Sequence, residues 1–369
     1  MDAMVNRKET MRTGAMPSSS NNFMTDLANR NPHNPLLQPS QVKSHHPGTQ
    51  VECLLNPGVF QFQKLTWLVV RVAERPEQKE GKISFPILQN GRVAIVSFDL
   101  DDPLLDTRDP REPRYKGETY LSTLSHLRLF KSEDGIHFED AALPSITGKG
   151  YLEGYGIEDC RVASMADGSF LLTYTATSES GYGVGLRRTF NWESYEEFGM
   201  ILPPANKDCA IFESKIEEKY YCLHRPSGVG LGGHFIWLAS SPNLADWGNH
   251  ACVARTRDGA WDSSRIGAGA APIETEQGWL AIYHGADHQN RYCLGALLLD
   301  KKDPSKVISR SKEPIMEPTA PYEKEGFFGK VVFTNGHVVD DDKLTLYYGA
   351  SDSVICSAEF SIHEILQSL

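Results

Sequence analysis

The stretch Gln277-Gly278-Trp279-Leu280-Ala281-Ile282-Tyr283-His284-Gly285-Ala286-Asp287 is the clearest copy of a pattern that recurs along this chain. It consists of a polar turn, an apolar and aromatic run, and a short tail of small or polar residues. Four more copies begin at Lys64, Asp167, Glu218 and Asp342. Short apolar runs bounded by turn residues are typical of β-strands, and a recurring unit indicates a repeat architecture. No long segment has a helical period, so the sequence predicts an all-β fold.

Five copies of the pattern predict the five blades of a β-propeller, in which four-stranded sheets surround a central channel. The first two copies lie much farther apart than the others, and the gap is expected to hold an insertion that includes residues 99–116. Residues 1–35 are rich in Ser, Asn, Met and Arg without periodicity, which predicts a flexible tail. The propeller domain therefore comprises residues 36–369, and a short helix is expected within residues 361–369.

Charge and cysteine content argue against several classes of protein. The 369 residues carry a formal net charge of −11 without a long basic run, so nucleic acid is not an expected partner. The sequence contains no run of about 18 apolar residues, so no membrane-spanning helix is predicted. No apolar segment follows the charged N-terminus, so a signal peptide is not expected. Seven widely spaced cysteines, with no Cys-x-x-Cys pair, predict reduced thiols and a cytoplasmic location.

Charged residues follow several of the apolar runs, at the point where each run ends. They are Arg71, His224, Arg225, His284 and Asp352. A single charge in such a place is usually a solvated strand end. These charges, however, occupy the same position in four copies of the repeat. Because a propeller brings equivalent positions together around one channel, we expect these side chains to converge.

The segment Gly154-Tyr155-Gly156-Ile157-Glu158-Asp159-Cys160-Arg161 holds two adjacent carboxylates and a guanidinium. Successive side chains of a strand point to opposite faces, so Glu158 and Asp159 are not expected to form a facing pair. One carboxylate is expected to pair with Arg161, while the other faces the channel. The alternative is a cluster of salt bridges on the surface. Cys160, beside two carboxylates, is predicted to be structural rather than nucleophilic.

Residues 156–161 resemble the Gly-x-Glu-Asp-Pro-Arg signature of glycoside hydrolase family 130, which comprises mannoside phosphorylases and related mannosidases. Further segments resemble the same family, in the family's order; they are residues 71–76, 206–226, 283–286 and 347–352. The resemblance is closest to the β-1,2-mannobiose and β-1,2-oligomannan phosphorylases, on the strength of residues 207–226 and 265–269. One position departs from the signature, because Cys160 stands where the family has proline. Unlike proline, cysteine has a backbone N–H that can donate a hydrogen bond, and its φ angle is not restricted by a ring.

The resemblance implies a five-bladed β-propeller that catalyses inverting phosphorolysis of β-1,2-linked mannosides, giving α-mannose 1-phosphate and a shortened sugar. It implies that Asp159 is the general acid and reaches the glycosidic oxygen through a sugar hydroxyl. The side chains implied for the sugar are Asn56, Arg71, Glu158, Lys207, Asp208, Tyr283 and Asp352. Those implied for inorganic phosphate are Arg161, Lys215, His224, Arg225 and His284. Inorganic phosphate is then a co-substrate, and no cofactor is expected.

The chemistry of phosphorolysis agrees with this division of residues. Phosphate is already a nucleophile, so the site needs one acid, with a raised pKa, and basic groups that hold a dianion. Two other hypotheses for the function stay open. An inverting mannosidase would place a carboxylate base roughly 6.5–9.5 Å from the acid, and Glu213 and Asp287 are candidates for that base. A carbohydrate-binding propeller without catalysis would need neither group.

The remaining sequence features concern a possible metal site, the selectivity for the acceptor sugar and the oligomeric state. His45-His46 lies in a polar stretch without spaced partners, so no metal site is predicted there. Selectivity for the acceptor sugar is expected to depend on loops such as residues 99–116 and 227–234. The sequence leaves open the length of the acceptor chain and the oligomeric state, a homo-oligomer included.

Overall fold

The computed structural model describes residues 26–89, 92–108, 113–228 and 232–369. Regular structure in these residues is nearly all β, which confirms the all-β prediction. The described α-helices are short and span Pro321–Lys324 and Ile362–Gln367, and single 3-10 turns occur at Pro39–Gln41 and Tyr151–Glu153. Within the described residues, no helix is both long and apolar enough to cross a membrane.

Five antiparallel sheets make up most of the structure, and each is built largely from consecutive strands. Sheet 1 contains Thr49–Phe62, Leu65–Pro76, Leu124–Ser132 and Glu139–Asp140. Sheet 2 contains Ile157–Ser164, Phe170–Ser178, Gly181–Thr189 and Glu196–Leu202. Sheet 3 contains Asn206–Ile211, Tyr220–Pro226, Ile236–Ser241 and Gly248–Ala254. Sheet 4 contains Arg265–Ala268, Ile273–Glu274, Trp279–Ala286, Tyr292–Leu299 and Val307–Arg310. Sheet 5 contains Val332–Asp340, Lys343–Ala350, Val354–Ser361 and the N-terminal strand Asn29–Arg30.

The repeated sequence pattern corresponds to one strand of each sheet. In every sheet the copy of the pattern follows the first long strand and pairs with it; in sheet 4, for example, it forms Trp279–Ala286. All eight residues of that strand are buried. A strand that is covered on both faces needs a nearly continuous apolar run, and this is the property that makes the pattern visible in the sequence.

Neighbouring sheets pack face to face through separate hydrophobic clusters. Sheets 1 and 2 meet around Phe60 and Trp192, whose rings stack with centroids 3.8 Å apart. Equivalent clusters lie between sheets 2 and 3, 3 and 4, and 4 and 5. A fifth cluster, which includes Leu68 and Tyr347, lies between sheets 5 and 1. Each sheet therefore packs against the next one, and the last packs against the first.

A long insertion separates the second and third strands of sheet 1. It contains the hairpin Lys82–Gln89 and Arg92–Asp99, followed by a small sheet of Leu105–Asp106, Arg114–Tyr115 and Glu118–Thr119. Aromatic rings join the two parts: Phe98 stacks on Tyr115 with centroids 4.0 Å apart, and Phe85 stacks on Tyr120 at 5.4 Å. The insertion predicted around residues 99–116 is therefore present and begins soon after Pro76.

The predicted tail of residues 1–35 is too long at its C-terminal end. Residues 1–25 lie outside the described part, but Asn29–Arg30 pairs with Val354–Ser361 at the edge of sheet 5. Arg30 Nε also lies 2.8 Å from Oε1 of the buried Glu323. A two-residue strand held by backbone hydrogen bonds and an ion pair has no hydrophobic pattern, so it could not be recognised from the sequence. At the other end, Ile362–Gln367 forms the expected short helix.

Candidate active site

A cavity of about 320 Å³ lies where the first strands of the sheets approach one another, and every sheet contributes to its wall. Eight of the side chains predicted for the site line this cavity. They are Asn56, Arg71, Glu158, Asp159, Lys207, Asp208, Arg225 and Asp352. The cavity is also lined by residues that the sequence did not single out as sugar or phosphate ligands, among them Ser122, Tyr182, Arg265, Tyr292 and Phe333.

β-Bulges place three of the polar side chains in the cavity wall. The register of the first strand shifts near Asn56 in sheet 1, at Asp159 in sheet 2 and at Asp208 in sheet 3. These residues have φ values of 35°, 48° and 54°, which lie in the left-handed region that non-glycine residues rarely adopt. A bulge re-aims side chains relative to regular alternation. The prediction that Glu158 and Asp159 point to opposite faces is therefore wrong, because both line the cavity.

Arg71 holds the two adjacent carboxylates. Its Nη1 donates to Asp159 Oδ1 at 3.2 Å, and its Nη2 donates to Glu158 Oε1 at 2.9 Å. Asn56 Nδ2 donates to the same Asp159 oxygen at 3.1 Å. Arg71 Nε is fixed in turn by Ser125 Oγ at 2.9 Å. A planar guanidinium that makes several hydrogen bonds is held rigidly. Arg71 therefore fixes the orientation of Asp159.

The pKa of Asp159 is lowered by the protein groups that surround it. Burial alone would raise this pKa, but the positive charges of Arg71, Lys207 and Arg161 outweigh burial and favour the carboxylate. The protein groups around Asp159 therefore do not by themselves give the raised pKa that was expected of the acid. A negative charge bound near these cations would offset their influence and raise the pKa of Asp159.

Asp208 is the centre of a buried ion cluster beneath the cavity. Its carboxylate lies 3.1 Å from Arg161 Nη2 and 3.0 Å from Arg225 Nε, and these cations help to hold its pKa well below the usual range despite burial. Arg161 also donates to the carbonyl oxygens of Asp159, Ala268 and Gly269. Arg161 is not part of the cavity wall, so its predicted role as a phosphate ligand is not supported by its position.

Arg225 is placed differently from Arg161. Its side chain lines the cavity, and its Nη1 is buried with no hydrogen-bond acceptor among the described residues. Leaving a buried charged donor unpaired is costly, so such a donor indicates a site for an anion. Two more cations lie in the same wall: Lys207 Nζ is 4.7 Å from the centre of the Tyr182 ring, and Arg265 lies 5.5 Å from that of Tyr292.

Arg265 stands out in the sequence only as part of residues 265–269, one of the segments that carry the family resemblance. The structure places it at the start of sheet 4, opposite Ala286 at the end of the repeated strand. That position is equivalent to the strand ends that drew attention to Arg71 and Arg225. Only the ends of the repeated strands drew attention in the sequence. In sheet 4, however, an end of the strand that precedes the repeated strand also faces the cavity.

Two of the predicted phosphate ligands lie outside the cavity wall because of strand geometry. His224 precedes Arg225 in the same strand, so it points to the other face and lies 3.1 Å from Asn206 Oδ1. Burial and His250 lower its pKa to about 3, so it is neutral at pH 7. Lys215 is exposed in the turn between the first two strands of sheet 3, with Nζ over the Tyr220 ring.

His284 and Tyr283 are buried beneath the wall and do not line the cavity. His284 stacks on Phe333 with centroids 4.0 Å apart, and burial lowers its pKa to about 4 even though Asp208 favours the charged form. The Tyr283 hydroxyl donates to Asp262 at 2.9 Å and accepts from Arg310 Nε at 3.0 Å. The prediction of both residues as direct ligands is therefore not supported by their positions.

Tyr283→Phe provides a test of this structural role. The substitution removes the hydroxyl between the buried Asp262 and the partly buried Arg310, so the free energy of unfolding should fall by about 1–3 kcal/mol. Urea denaturation measures this loss. KM for sugar should stay within about twofold; a tenfold increase in KM with unchanged stability would mean that Tyr283 contacts the sugar.

The remaining sequence candidates also lie away from the cavity wall. Glu213 accepts a hydrogen bond from the Ser164 backbone, and Asp287 pairs with Arg291. Cys160 is fully buried in the cluster between sheets 1 and 2, and burial raises its pKa to about 12, in agreement with a structural role.

His45 and His46 have partners that their sequence did not reveal. Their backbone amides donate to the buried Glu74, and their rings pack near His126, which also bonds Glu74. In the described parts of the chain, no group of three or more His, Cys, Asp or Glu side chains is arranged to hold a metal ion.

Comparison with known proteins identifies the family. The family model for glycoside hydrolase family 130, described as β-1,4-mannooligosaccharide phosphorylase, matches residues 114–369. A β-1,2-mannobiose phosphorylase from Listeria innocua is 42% identical over 343 residues, which are 91% of this chain and 96% of that protein. A 1,2-β-oligomannan phosphorylase from Thermoanaerobacter sp. is 39% identical over 256 residues, covering 69% of this chain and 83% of that protein.

A solved structure extends the likeness to three dimensions. The β-1,2-mannobiose phosphorylase from Listeria innocua, in complex with β-1,2-mannobiose, superposes with a TM-score of 0.89 at 40% identity. The match covers 93% of this chain and 99% of that one. This chain belongs to glycoside hydrolase family 130.

Proposed function

We propose that this protein is an inverting phosphorylase that cleaves β-1,2-linked mannosides, mannobiose or oligomannan, to α-mannose 1-phosphate and a shortened sugar. The observation that carries the proposal is a cavity in which Asp159, held by Asn56 and Arg71, shares the wall with Arg225, whose buried Nη1 has no hydrogen-bond acceptor among the described residues. The similarity to β-1,2-mannobiose and 1,2-β-oligomannan phosphorylases supports the choice of linkage.

The residues of the cavity wall are assigned two different tasks. Asn56, Arg71 and Glu158 surround Asp159, and they bind the mannosyl unit together with Asp352, which lines the same cavity. Arg225 and Arg265 bind inorganic phosphate, because guanidinium groups form charge-assisted hydrogen bonds with phosphate oxygens. Lys207, whose charge acts on Asp159, stays assigned to the sugar. Asp208 holds the Arg225 guanidinium from below through its ion pair.

The reaction needs no base from the protein. A phosphate oxygen attacks the anomeric carbon from the face opposite the glycosidic oxygen, and the bond to that oxygen breaks with inversion. Asp159 gives its proton, through a hydroxyl of the sugar, to the departing oxygen, which becomes a hydroxyl of the shortened sugar. Asp159 regains a proton from solvent before the next turnover. Phosphate is consumed as co-substrate, and none of these steps requires a cofactor.

Phosphate binding is expected to prepare Asp159 for this role. The charges that lower its pKa come from Arg71 and, after it, from Lys207 and Arg161. A phosphate dianion bound at Arg225 and Arg265 adds negative charge to the same cavity, so the pKa of Asp159 should rise and the carboxyl group should take up a proton. Carbon-13 NMR of labelled aspartate carboxyls, assigned with Asp159→Asn, measures this pKa with and without phosphate. An unchanged or lower pKa at saturating phosphate would contradict the mechanism.

We also infer that the five sheets are the blades of a β-propeller whose channel forms the cavity. The contacts between successive sheets, and between sheet 5 and sheet 1, support this arrangement. We further propose a cytoplasmic location, which the seven free cysteines support.

Hydrolysis on the same scaffold is less well supported. An inverting hydrolase needs a carboxylate that activates water, and both carboxylates suggested for that role, Glu213 and Asp287, lie outside the cavity wall. The relatives that cover most of this chain are phosphorylases. A binding module without catalysis would not require a carboxylic acid beside an anion site.

The configuration of the first product tests the proposal. Proton NMR of the reaction of β-1,2-mannobiose with phosphate should show the α-anomer of mannose 1-phosphate as it forms. Accumulation of the β-anomer, which requires retention, would contradict the single-displacement mechanism.

A further inference from the structure

A second cavity of about 230 Å³ adjoins the one that contains Asp159. The two share Leu121 and Thr123 in their walls, so they are neighbours across a single short segment. Part of the second wall comes from the insertion in sheet 1, and part comes from Gly154 and Tyr155. Its volume is below that of a typical site for a drug-sized ligand and suits a single small ring.

Tyr155 forms one side of the second cavity and is held firmly at its backbone. Its amide donates to the Thr177 carbonyl oxygen at 2.9 Å. The next residue, Gly156, has a φ of 100°, and a Cβ there would lie 2.5 Å from the Ser125 carbonyl oxygen. The chain then continues directly into the strand that carries Asp159. Tyr155 is nevertheless 40% exposed, so it presents a large side chain on a fixed backbone.

The opposite side of the second cavity is built on the aromatic cluster of the insertion. Tyr120 stacks on Phe85, lies edge-on to Phe98 with centroids 5.2 Å apart, and donates its amide to the Pro113 carbonyl oxygen at 2.8 Å. Glu118 and Thr119 add a carboxylate and a hydroxyl to the same wall. Flat aromatic faces beside hydrogen-bonding groups match a sugar ring, which has apolar C–H faces and a rim of hydroxyls.

We propose that the second cavity binds a further mannosyl unit of the acceptor chain, with Tyr155 as its stacking platform. This inference rests on the proposed function and deepens it, since it makes β-1,2-oligomannans longer than the disaccharide the preferred substrates. The cleaved linkage lies beside Asp159, and the next units leave past Leu121 and Thr123 into the second cavity. The parts of the insertion that select the acceptor are then Pro86, Ile87 and residues 118–121.

The test compares Tyr155→Ala with Tyr151→Ala. Tyr151 is a matched control, because it lies four residues earlier, is 72% exposed and is not part of the cavity wall. Values of kcat/KM are measured at saturating phosphate for β-1,2-mannobiose, mannotriose and mannotetraose. Loss of one aromatic stacking partner should lower the ratio of mannotriose to mannobiose about tenfold, mainly through KM for the trisaccharide. Tyr151→Ala should leave the ratio unchanged.

Three outcomes would overturn the proposal: an unchanged ratio in Tyr155→Ala, an equal loss for all three sugars, or the same change in Tyr151→Ala. The last outcome would point to an effect of surface tyrosines in general, such as contact with a second copy. Failure of the unaltered protein to phosphorolyse any of the sugars would overturn the proposed function instead. In that case calorimetric binding of mannotriose, weaker in Tyr155→Ala than in Tyr151→Ala, would still support the subsite, and equal binding would overturn it.

Discussion

Replacing Asp159 by Asn is expected to lower kcat for phosphorolysis of β-1,2-mannobiose by about 10²–10⁴-fold, the usual contribution of a general acid. Asn keeps the size of the side chain and an oxygen that accepts from Asn56 and Arg71, so the site should keep its shape. It cannot give a proton to the glycosidic oxygen. Initial rates of mannose 1-phosphate release measure the effect, and thermal unfolding checks that the variant is folded.

A substrate with a good leaving group separates acid catalysis from a purely structural role. Fluoride leaves without protonation, so β-mannosyl fluoride should react with phosphate in Asp159→Asn at a rate much closer to that of the unaltered protein. Equal losses for mannobiose and the fluoride would mean that Asp159 positions the sugar rather than protonates it. Retention of more than a tenth of kcat for mannobiose would remove Asp159 from the role of acid.

Replacing Arg225 by Ala is expected to raise KM for phosphate by about 100-fold or more. The substitution removes the cavity-facing guanidinium whose Nη1 has no acceptor among the described residues, and charge-assisted hydrogen bonds contribute roughly 1.5–3 kcal/mol each. Asp208 keeps Arg161 as an ion-pair partner, so the cluster below the cavity should survive. Arg225→Lys should restore binding only in part, because an ammonium group lacks the planar fork.

Lys215→Ala is the matched control for the phosphate site. The sequence predicted Lys215 and Arg225 as phosphate ligands together, but the structure places Lys215 in an exposed turn outside the cavity wall. KM for phosphate in Lys215→Ala should therefore stay within about twofold. If Lys215→Ala has the larger effect, or if Arg225→Ala changes KM less than threefold, the assignment of the phosphate site is wrong.

The repeat pattern allowed the second strand of each sheet to be predicted, for a physical reason. Strands such as Trp279–Ala286 are buried on both faces, which requires an uninterrupted apolar run. The edge strand Asn29–Arg30 has no such requirement, and its pairing is held by backbone hydrogen bonds and by the ion pair of Arg30. Its position could not be predicted from composition.

For the side chains of the site, too, some features could be predicted from the sequence and others could not. The end of a strand can be predicted from sequence, but the face that each residue occupies there depends on bulges. At Asp159 and Asp208 the bulge is visible only as a register shift and a positive φ. Arg161 and Arg225 are both basic and both bind Asp208, yet only Arg225 lines the cavity. That difference depends on the direction of the guanidinium groups, which a sequence motif does not encode.

The requirement for phosphate is the most direct test of the proposed phosphorylase activity. Purified protein is incubated with β-1,2-mannobiose with and without inorganic phosphate, and the products are followed by phosphorus-31 and proton NMR. A phosphorylase should release equal amounts of α-mannose 1-phosphate and mannose with phosphate, and should leave the disaccharide intact without it. Release of two mannose molecules per disaccharide in the absence of phosphate would contradict the proposed function.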